Sequence, residues 1–296
     1  MKENTLPAHS KKKRKHKTMN LLIFIILCLF GIVFIFPIFM MVANSFMGEA
    51  ELMENYGAVL TDAEGKTGCQ LFPLYPTLRP YVELLIDSPG FYVMFWNSCK
   101  QVFPILAGQL LTAVPAAWAL GRFRFRGRKT LHFIYMMLMI MPFQVTMVSS
   151  YLVLSKLQLL DTHLAIILPG VFSAFPVFIM TKFFRSIPEA LIEAAKIDGA
   201  SELRIFLQIG IPLGYPGIVS AMILDFLECW NTIEQPMTFL SDKKLWPLSL
   251  YLPEITTDKM SVSFVASVIM MIPAILLFLY GQRYLEQGIA ASGLKE

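Results

Sequence analysis

The sequence has little charge and no clustered cysteines. Of its 296 residues, 56% are hydrophobic and 16% are charged, whereas about 25% of the residues in a typical soluble domain are charged. A soluble fold of this length could not bury so much apolar surface, which excludes an ordinary soluble protein. The four cysteines form no CxxC pair and no cluster with histidine at metal-ligand spacing. We therefore predict neither a zinc site nor a disulfide framework.

The sequence also lacks the signatures of an enzyme. A phosphate-binding loop requires the pattern G-x-x-x-x-G-K-[ST]. The chain contains Gly65-Lys66-Thr67, but Leu60 occupies the position of the first glycine. The four histidines are scattered, and no Ser/His/Asp constellation lies within an apolar run. We expect no catalytic residue, no metal site and no cofactor in this chain.

The hydrophobic residues are gathered into runs near 20 residues long, enough for a helix to cross about 30 Å of hydrocarbon. We predict an all-α integral membrane protein in which residues 1–19 form a basic tail and residues 20–296 form one six-span domain. The predicted transmembrane helices cover residues 21–42, 95–120, 131–155, 163–184, 209–232 and 262–281. Pro142, within the third span, is positioned to break that helix and free backbone groups toward a cavity.

Lysine and arginine are distributed unequally between the two sides of such a bundle. The N-terminal tail, the 121–130 loop, the 182–208 loop and the C-terminal tail together hold 18 of the 25 basic residues. The positive-inside rule therefore places both termini in the cytoplasm. Basic runs such as KKKRKHK (11–17) also occur in nucleic-acid-binding proteins, but beside apolar spans we interpret them as charge anchors and expect no nucleic-acid partner.

Residues 186–213, SIPEALIEAAKIDGASELRIFLQIGIPL, are too polar to cross a bilayer. Ser186 and Glu189 fit a capping box for a helix over 189–198. Gly199 predicts the end of that helix in a left-handed cap, and Ser201 can cap a second short helix. Pro212 marks the return to the membrane. The expected helix–glycine–helix element suits the groove of a soluble partner; the alternative is an amphipathic helix lying on the membrane surface.

This loop closely resembles the EAA loop of ABC importer permeases, E-A-A-x-x-x-G followed by I-x-x-P. The fuller stretch IPEALIEAAKIDGAS (187–201) resembles the carbohydrate-uptake branch, the family of the maltose permease subunit MalG. The other matching stretches are Asn97-Ser98, AAWALGRFRFRGRK (116–129), MPFQV (141–145), LQLLDTHLAIIL (157–168), Trp230-Asn231 and QRYLEQGIAASGLKE (282–296). The chain departs from the family in Ser292-Gly293-Leu294-Lys295-Glu296, in TIEQPMTFL (232–240) and in the 46–90 loop, which leaves the solute unassigned.

The resemblance implies a type I (MetI-like) permease fold in the bacterial cell membrane and a role in carbohydrate import. Residues 186–212 would be the coupling loop that docks into a groove on a separate ATPase subunit. The ATPase-coupling residues it implies are Glu193, Ala194, Ala195, Asp198, Gly199 and Pro212. The implied partners are a second, MalF-like permease, two ATPase subunits that bind ATP and Mg²⁺, an extracytoplasmic solute-binding protein, and membrane lipid.

A few polar residues lie within predicted spans and are candidates for the substrate path, because such residues are costly in lipid. Asp225 and Glu228 are three residues apart and share a helix face, and Trp230-Asn231 follow them. The alternative is that these groups lie at the membrane interface and reach water. Gln144, in the third span, is a further candidate, and its alternative is a helix–helix hydrogen bond.

Two other classes of function are open to a chain with several apolar spans. A secondary carrier acting alone would show inverted repeats, and the sequence shows none. A membrane scaffold could use the loop to recruit a partner without transport. Neither explains the complete loop motif as well as an importer permease does.

Overall fold

The computed structural model describes residues 9–60, 68, 70–252 and 259–293. Gly65-Lys66-Thr67, the beginning of the basic tail and Leu294-Lys295-Glu296 lie outside these residues. The described residues are helical, without strands. The α-helices are α1 (His9–Asn44), α2 (Glu49–Leu60), α3 (Arg79–Leu85), α4 (Pro89–Arg122), α5 (Arg128–Ile140), α6 (Phe143–Lys156), α7 (Leu164–Val171), α8 (Ala174–Ser186), α9 (Glu189–Ile197), α10 (Glu202–Ile205), α11 (Ile211–Trp230), α12 (Glu234–Phe239) and α13 (Met260–Gly293).

Five stretches of the described chain are long and apolar enough to cross a membrane. They are Met19–Asn44, Pro89–Arg122, Leu164–Ser186, Glu202–Trp230 and Met260–Glu286. A sixth is obtained if α5 and α6 together form one span. The predicted all-α, six-span class is confirmed with this bent pair counted as one.

The third span is sharply broken at Pro142. The helix axes of α5 and α6 differ by 101°. Proline lacks the backbone N–H that would continue the helix, and it drives the preceding residue to extended geometry; Met141 has ψ 119°. Helices of 13 and 14 residues thus form the span predicted over 131–155, and the break expected at Pro142 is present.

The described chain forms two compact units. The smaller unit contains α1, α2 and the start of α13, where Met47, Leu52 and Met260 pack together. The Glu49 carboxylate accepts hydrogen bonds from the backbone N–H groups of Met260 and Ser261, both 3.0 Å, and from the Ser261 hydroxyl at 2.7 Å. An acidic side chain thereby caps the beginning of α13, where the helix dipole favours negative charge.

The larger unit contains α4 to α12 and the rest of α13. Its main core joins α4, α8 and α11, with Trp118, Met180, Phe184 and Ala221 all buried. The approach of α11 to α8 is close, because a Cβ added at Gly217 would clash with the side chain of Phe183. Small residues permit this kind of backbone approach in membrane bundles. This core positions the 187–210 segment between α8 and α11.

Candidate functional site

The segment between α8 and α11 is a compact turn built around Gly199. The helix α9 ends at Ile197, and Gly199 adopts φ 79°. The N–H of Ala200 donates to the Ala195 carbonyl at 2.9 Å, and the N–H of Gly199 donates to the Lys196 carbonyl at 3.0 Å. These two bonds are the pattern of a Schellman cap, so the left-handed cap predicted at Gly199 is present.

The capping box predicted at Ser186 and Glu189 is wrong. Ser186 is the last residue of α8, and its hydroxyl donates back to the Phe183 carbonyl at 2.7 Å. Pro188 occupies the N-cap position of α9 without a side-chain cap. The local pattern was misleading because Ser186 still belongs to the preceding helix, where short hydroxyl side chains bond to the carbonyl three or four residues earlier.

The second helix of the loop is continuous with the next span. Ser201 caps α10 by accepting a hydrogen bond from the Arg204 N–H at 3.3 Å, as predicted. A π-helical turn, Phe206–Gly210, then connects α10 to α11, and the Ile211 N–H donates to the Phe206 carbonyl. Pro212 follows within the first turn of α11. It therefore lies inside one helical stretch, Glu202–Trp230, instead of beginning a separate span.

One side of this loop is anchored to the spans. Ile187, Ile192 and Ile205 are buried in the core that contains Trp118 and Phe184. The Arg122 guanidinium donates to the Ile187 carbonyl at 2.5 Å. A salt bridge of 2.6 Å between Lys196 and Glu202 joins the two helices across Gly199. The loop is thus held to the bundle as a rigid element.

The opposite side of the loop is exposed. Glu193, Ala194 and Asp198 are exposed, and Ala195 is half-buried against the core. Ile197 is 86% exposed and Leu203 is exposed as well. Glu193 forms no hydrogen bond or ion pair with any residue that the structure describes. A carboxylate, a small alanine and two exposed apolar side chains thus form a surface on which another protein or the membrane surface can pack.

A polar cavity of about 350 Å³ lies within the larger unit. Helices α4, α5, α6, α7, α8 and α11 all contribute to its wall. Two carboxylates line it, those of Asp225 and Glu228. Its hydroxyl and amide lining residues are Gln101, Thr146, Ser150, Ser173, Thr232 and Gln235. The cavity therefore offers several hydrogen-bond donors and acceptors to a polar molecule.

Asp225 is the buried member of this group, with 2% of its surface exposed. The Gln109 amide nitrogen Nε2 donates to its Oδ2 atom at 2.8 Å and also donates to the Gly170 carbonyl at 2.8 Å. The Cys229 thiol lies 3.3 Å from the same Oδ2 atom. Gln109 thus ties α4, α7 and α11 together beside the cavity.

Comparison with known proteins identifies the protein family to which this chain belongs. Residues 113–291 match the family described as the binding-protein-dependent transport system inner membrane component. This match covers more than half of the chain and includes both the loop and Asp225. The chain belongs to this family. The permease is therefore a membrane-embedded transport subunit and not an enzyme, and an importer of this family implies a partner permease, an ATPase and a binding protein.

Individual relatives agree with the family. The permease is 26% identical to the arabinooligosaccharides transport system permease protein AraQ of Halalkalibacterium halodurans, over 96% of this chain and 99% of the relative. It is 30% identical to the sn-glycerol-3-phosphate transport system permease protein UgpE of Escherichia coli, over 70% of this chain and 75% of the relative. Its fold matches the crystal structure of a bacterial ABC transporter involved in the import of the acidic polysaccharide alginate, with a TM-score of 0.76, 23% identity, and coverage of 95% and 99%.

The remaining substrate-path candidates of the permease lie away from the cavity wall. Trp230 is buried between Phe95 and Phe226, and its Nε1 atom donates to the Met270 carbonyl at 3.2 Å. Asn231 is exposed and donates to the Leu227 carbonyl. Gln144 is exposed and donates to Glu234 at 2.5 Å. Of the five residues chosen from the sequence, the structure brings only Asp225 and Glu228 to the cavity.

Several polar residues of α4 make contacts that the sequence did not predict, although Asn97-Ser98 belong to the family resemblance. Asn97 donates to the Lys244 carbonyl at 2.7 Å, and Gln101 donates to the Leu245 carbonyl at 3.1 Å. The Ser98 hydroxyl accepts a hydrogen bond from the Leu248 N–H at 2.8 Å. These side chains fix the 244–248 segment of the permease beside α4. The available signal was the presence of amides inside an apolar run, which is costly in lipid without a partner.

Proposed function

We propose that this chain is one of two permease subunits of an ATP-driven importer for an oligosaccharide or another neutral carbohydrate. A MalF-like permease would complete the translocation path, two ATPase subunits would bind ATP and Mg²⁺ below it, and an extracytoplasmic binding protein would deliver the solute. The observation that carries the proposal is the anchored loop with an exposed EAA face on a chain of this family.

The loop supports the ATPase-coupling role residue by residue. Glu193 and Ala194 are exposed on α9, where a groove of the ATPase would receive them, and Asp198 lies at the end of the same helix. Gly199 and the half-buried Ala195 hold the shape of the turn through the Schellman cap. Pro212 lies where the loop joins α11. Because the loop is seated in the bundle core, a movement imposed by the ATPase would be transmitted to α8 and α11.

The cavity supports a neutral solute. Its amides, hydroxyls and carboxylates can bond to the hydroxyl groups of a sugar. Among the described lining residues there is no lysine or arginine to bind an anion, while Asp225 and Glu228 would repel one. AraQ is named for arabinooligosaccharides, which agrees with this chemistry. Gln144, Trp230 and Asn231 stay in the proposal as residues that shape or border the path.

A second candidate is a phosphorylated small solute, because UgpE is named for sn-glycerol-3-phosphate. The two carboxylates in the cavity disfavour this candidate. The two candidates differ in charge, so one uptake experiment separates them.

Uptake by the native host tests the proposed solute class. Deleting the gene should abolish high-affinity uptake of at least one labelled neutral oligosaccharide and leave uptake of labelled glycerol 3-phosphate unchanged. Reintroducing the gene should restore uptake only when the gene for the partner ATPase is intact. Loss confined to the phosphorylated solute would support the second candidate. Uptake that survives without any ATPase would point to a secondary carrier and contradict the importer proposal.

The orientation of the chain, with both termini in the cytoplasm, is part of the proposal. Ile197 and Tyr75 are 86% and 79% exposed and belong to loops expected on opposite sides. In a background without native cysteines, a membrane-impermeant maleimide should label Tyr75→Cys on intact spheroplasts and Ile197→Cys only after permeabilisation. Denatured samples of both variants, which should label equally, are the control. The reverse pattern would contradict the orientation.

A further inference from the structure

A second, basic cavity of about 270 Å³ lies where α4 and α8 end and α5 begins. Five basic side chains line it: those of Arg122, Arg124, Arg128, Arg185 and Lys196. Its acidic lining residues are Glu189 and Glu202, which leaves a net charge of +3. This basic cavity is separate from the polar cavity that contains Asp225.

Three of these guanidinium groups have no carboxylate within salt-bridge distance among the described residues. The ion pairs at the cavity join Arg124 to Glu189 at 3.5 Å and Lys196 to Glu202. Arg128 instead donates to the carbonyls of Leu120 and Gly121 at 2.9 and 2.8 Å, and Arg185 donates to the Leu120 carbonyl at 3.4 Å. Carbonyl bonds at the end of α4 position the two guanidinium groups but do not neutralise their charge.

Two residues that line the cavity each have a buried donor without an acceptor among the described residues. These donors are the Nε atom of Arg122 and the Nε1 atom of Trp118. Trp118 is 4% exposed, both residues line the cavity, and the Arg122 guanidinium lies 5.9 Å from the centroid of the Trp118 ring. A buried N–H without an acceptor is costly, and the unpaired guanidinium charges make this cavity a favourable site for anionic oxygen atoms.

We propose that the basic cavity binds the phosphate headgroup of an anionic phospholipid. The cavity lies at the ends of spans, which is the depth of lipid headgroups. The link between α4 and α5 exposes Phe123 and Phe125, and α5 continues with exposed Phe133 and Ile134. These side chains offer an apolar surface for the acyl chains beside the charged site. Basic pockets between transmembrane helices are suited to anionic headgroups.

The same geometry links the lipid to the loop. Glu189, Ile192 and Lys196 of α9 line the basic cavity together with the arginines of the spans. A bound headgroup would therefore contact the helix that carries Glu193 and Ala194. The lipid site itself does not depend on which solute the permease carries.

Lipid binding to the intact, delipidated importer complex in neutral detergent tests the proposal. Native mass spectrometry would compare phosphatidylglycerol with phosphatidylcholine of the same acyl chains. We expect preferential binding of phosphatidylglycerol, and about fivefold weaker binding for Arg128→Gln or Arg185→Gln, the loss of one basic contact to an anionic lipid. The matched control is Arg126→Gln, which removes the same charge from the exposed loop without touching the cavity.

Arg128 and Arg185 also bond to the end of α4, so their variants must be shown to assemble. If those variants do not assemble, Arg124→Gln is the variant that tests the proposal. Arg124 lines the cavity and bonds to no backbone carbonyl of α4. Equal binding by Arg124→Gln and Arg126→Gln would overturn the proposal. So would equal binding of the two lipids, as expected if the ATPase fills the cavity. If inorganic phosphate binds in a way that depends on these arginines but phosphatidylglycerol is not preferred, the cavity binds free phosphate, and the proposal of a lipid ligand is wrong.

Discussion

Replacing Ala194 with tryptophan is expected to abolish transport while the chain still folds and inserts. Ala194 is exposed on α9 between Glu193 and the half-buried Ala195, so the loop itself has room for a larger side chain. If α9 docks into a preformed groove of the ATPase, that groove has space for only a small side chain at position 194. Overpacking of a close contact costs about 1–3 kcal/mol, which weakens docking roughly 5- to 150-fold.

The measurement combines solute uptake by whole cells with recovery of the ATPase on the tagged permease. The matched control is Ala194→Ser, which keeps a small side chain at the same exposed position and should transport at close to the wild-type rate. Ala194→Leu should be intermediate. A tryptophan variant that retains both the ATPase and normal uptake would remove Ala194 from the docking surface and would argue against the coupling role of α9.

The elements that the sequence predicted well are those set by short-range chemistry. Apolar runs of spanning length are confirmed as helices, because a chain in hydrocarbon must satisfy its own backbone hydrogen bonds. Gly199 and Ser201 were identified correctly, since a left-handed cap and a helix N-cap each depend on one residue type. Where two local patterns competed, as at Ser186, the sequence did not show which helix would include the residue.

The candidate site was predicted less completely because it depends on which helices face each other. Asp225 and Glu228 stood out as charges in an apolar run, and both line the polar cavity. Trp230 stood out equally and is buried among aromatic side chains. Gln109 was missed, since its importance comes from a hydrogen bond to a residue 116 positions away. Spacing along one helix carries no information about such a contact.

Replacing both Gln109 and Asp225 is expected to destabilise the fold by less than the sum of the two single replacements. The 2.8 Å bond between Gln109 Nε2 and Asp225 Oδ2 is buried and joins α4 to α11. Gln109→Leu would leave the carboxylate with the weak Cys229 thiol as its remaining hydrogen-bond donor among the described side chains. A hydrogen bond to a charged group contributes about 1.5–3 kcal/mol, and an orphaned buried partner adds a desolvation cost. In the double variant Gln109→Leu/Asp225→Leu neither partner is left orphaned, so the two losses should not add.

Reversible unfolding in mixed micelles would measure this coupling, with uptake as the second readout. Each single variant should lower the free energy of unfolding by about 1.5–3 kcal/mol, whereas the loss in the double variant should be well below the sum of the two single losses. Gln208→Leu is the control for an amide-to-leucine change, because Gln208 is exposed and, among the described residues, its side chain bonds to Arg204 alone. Additive losses would mean that the bond carries no coupling between the helices. If the double variant unfolds at near wild-type stability but does not transport, Asp225 acts on the solute in the polar cavity as well as on the packing of α4 and α11.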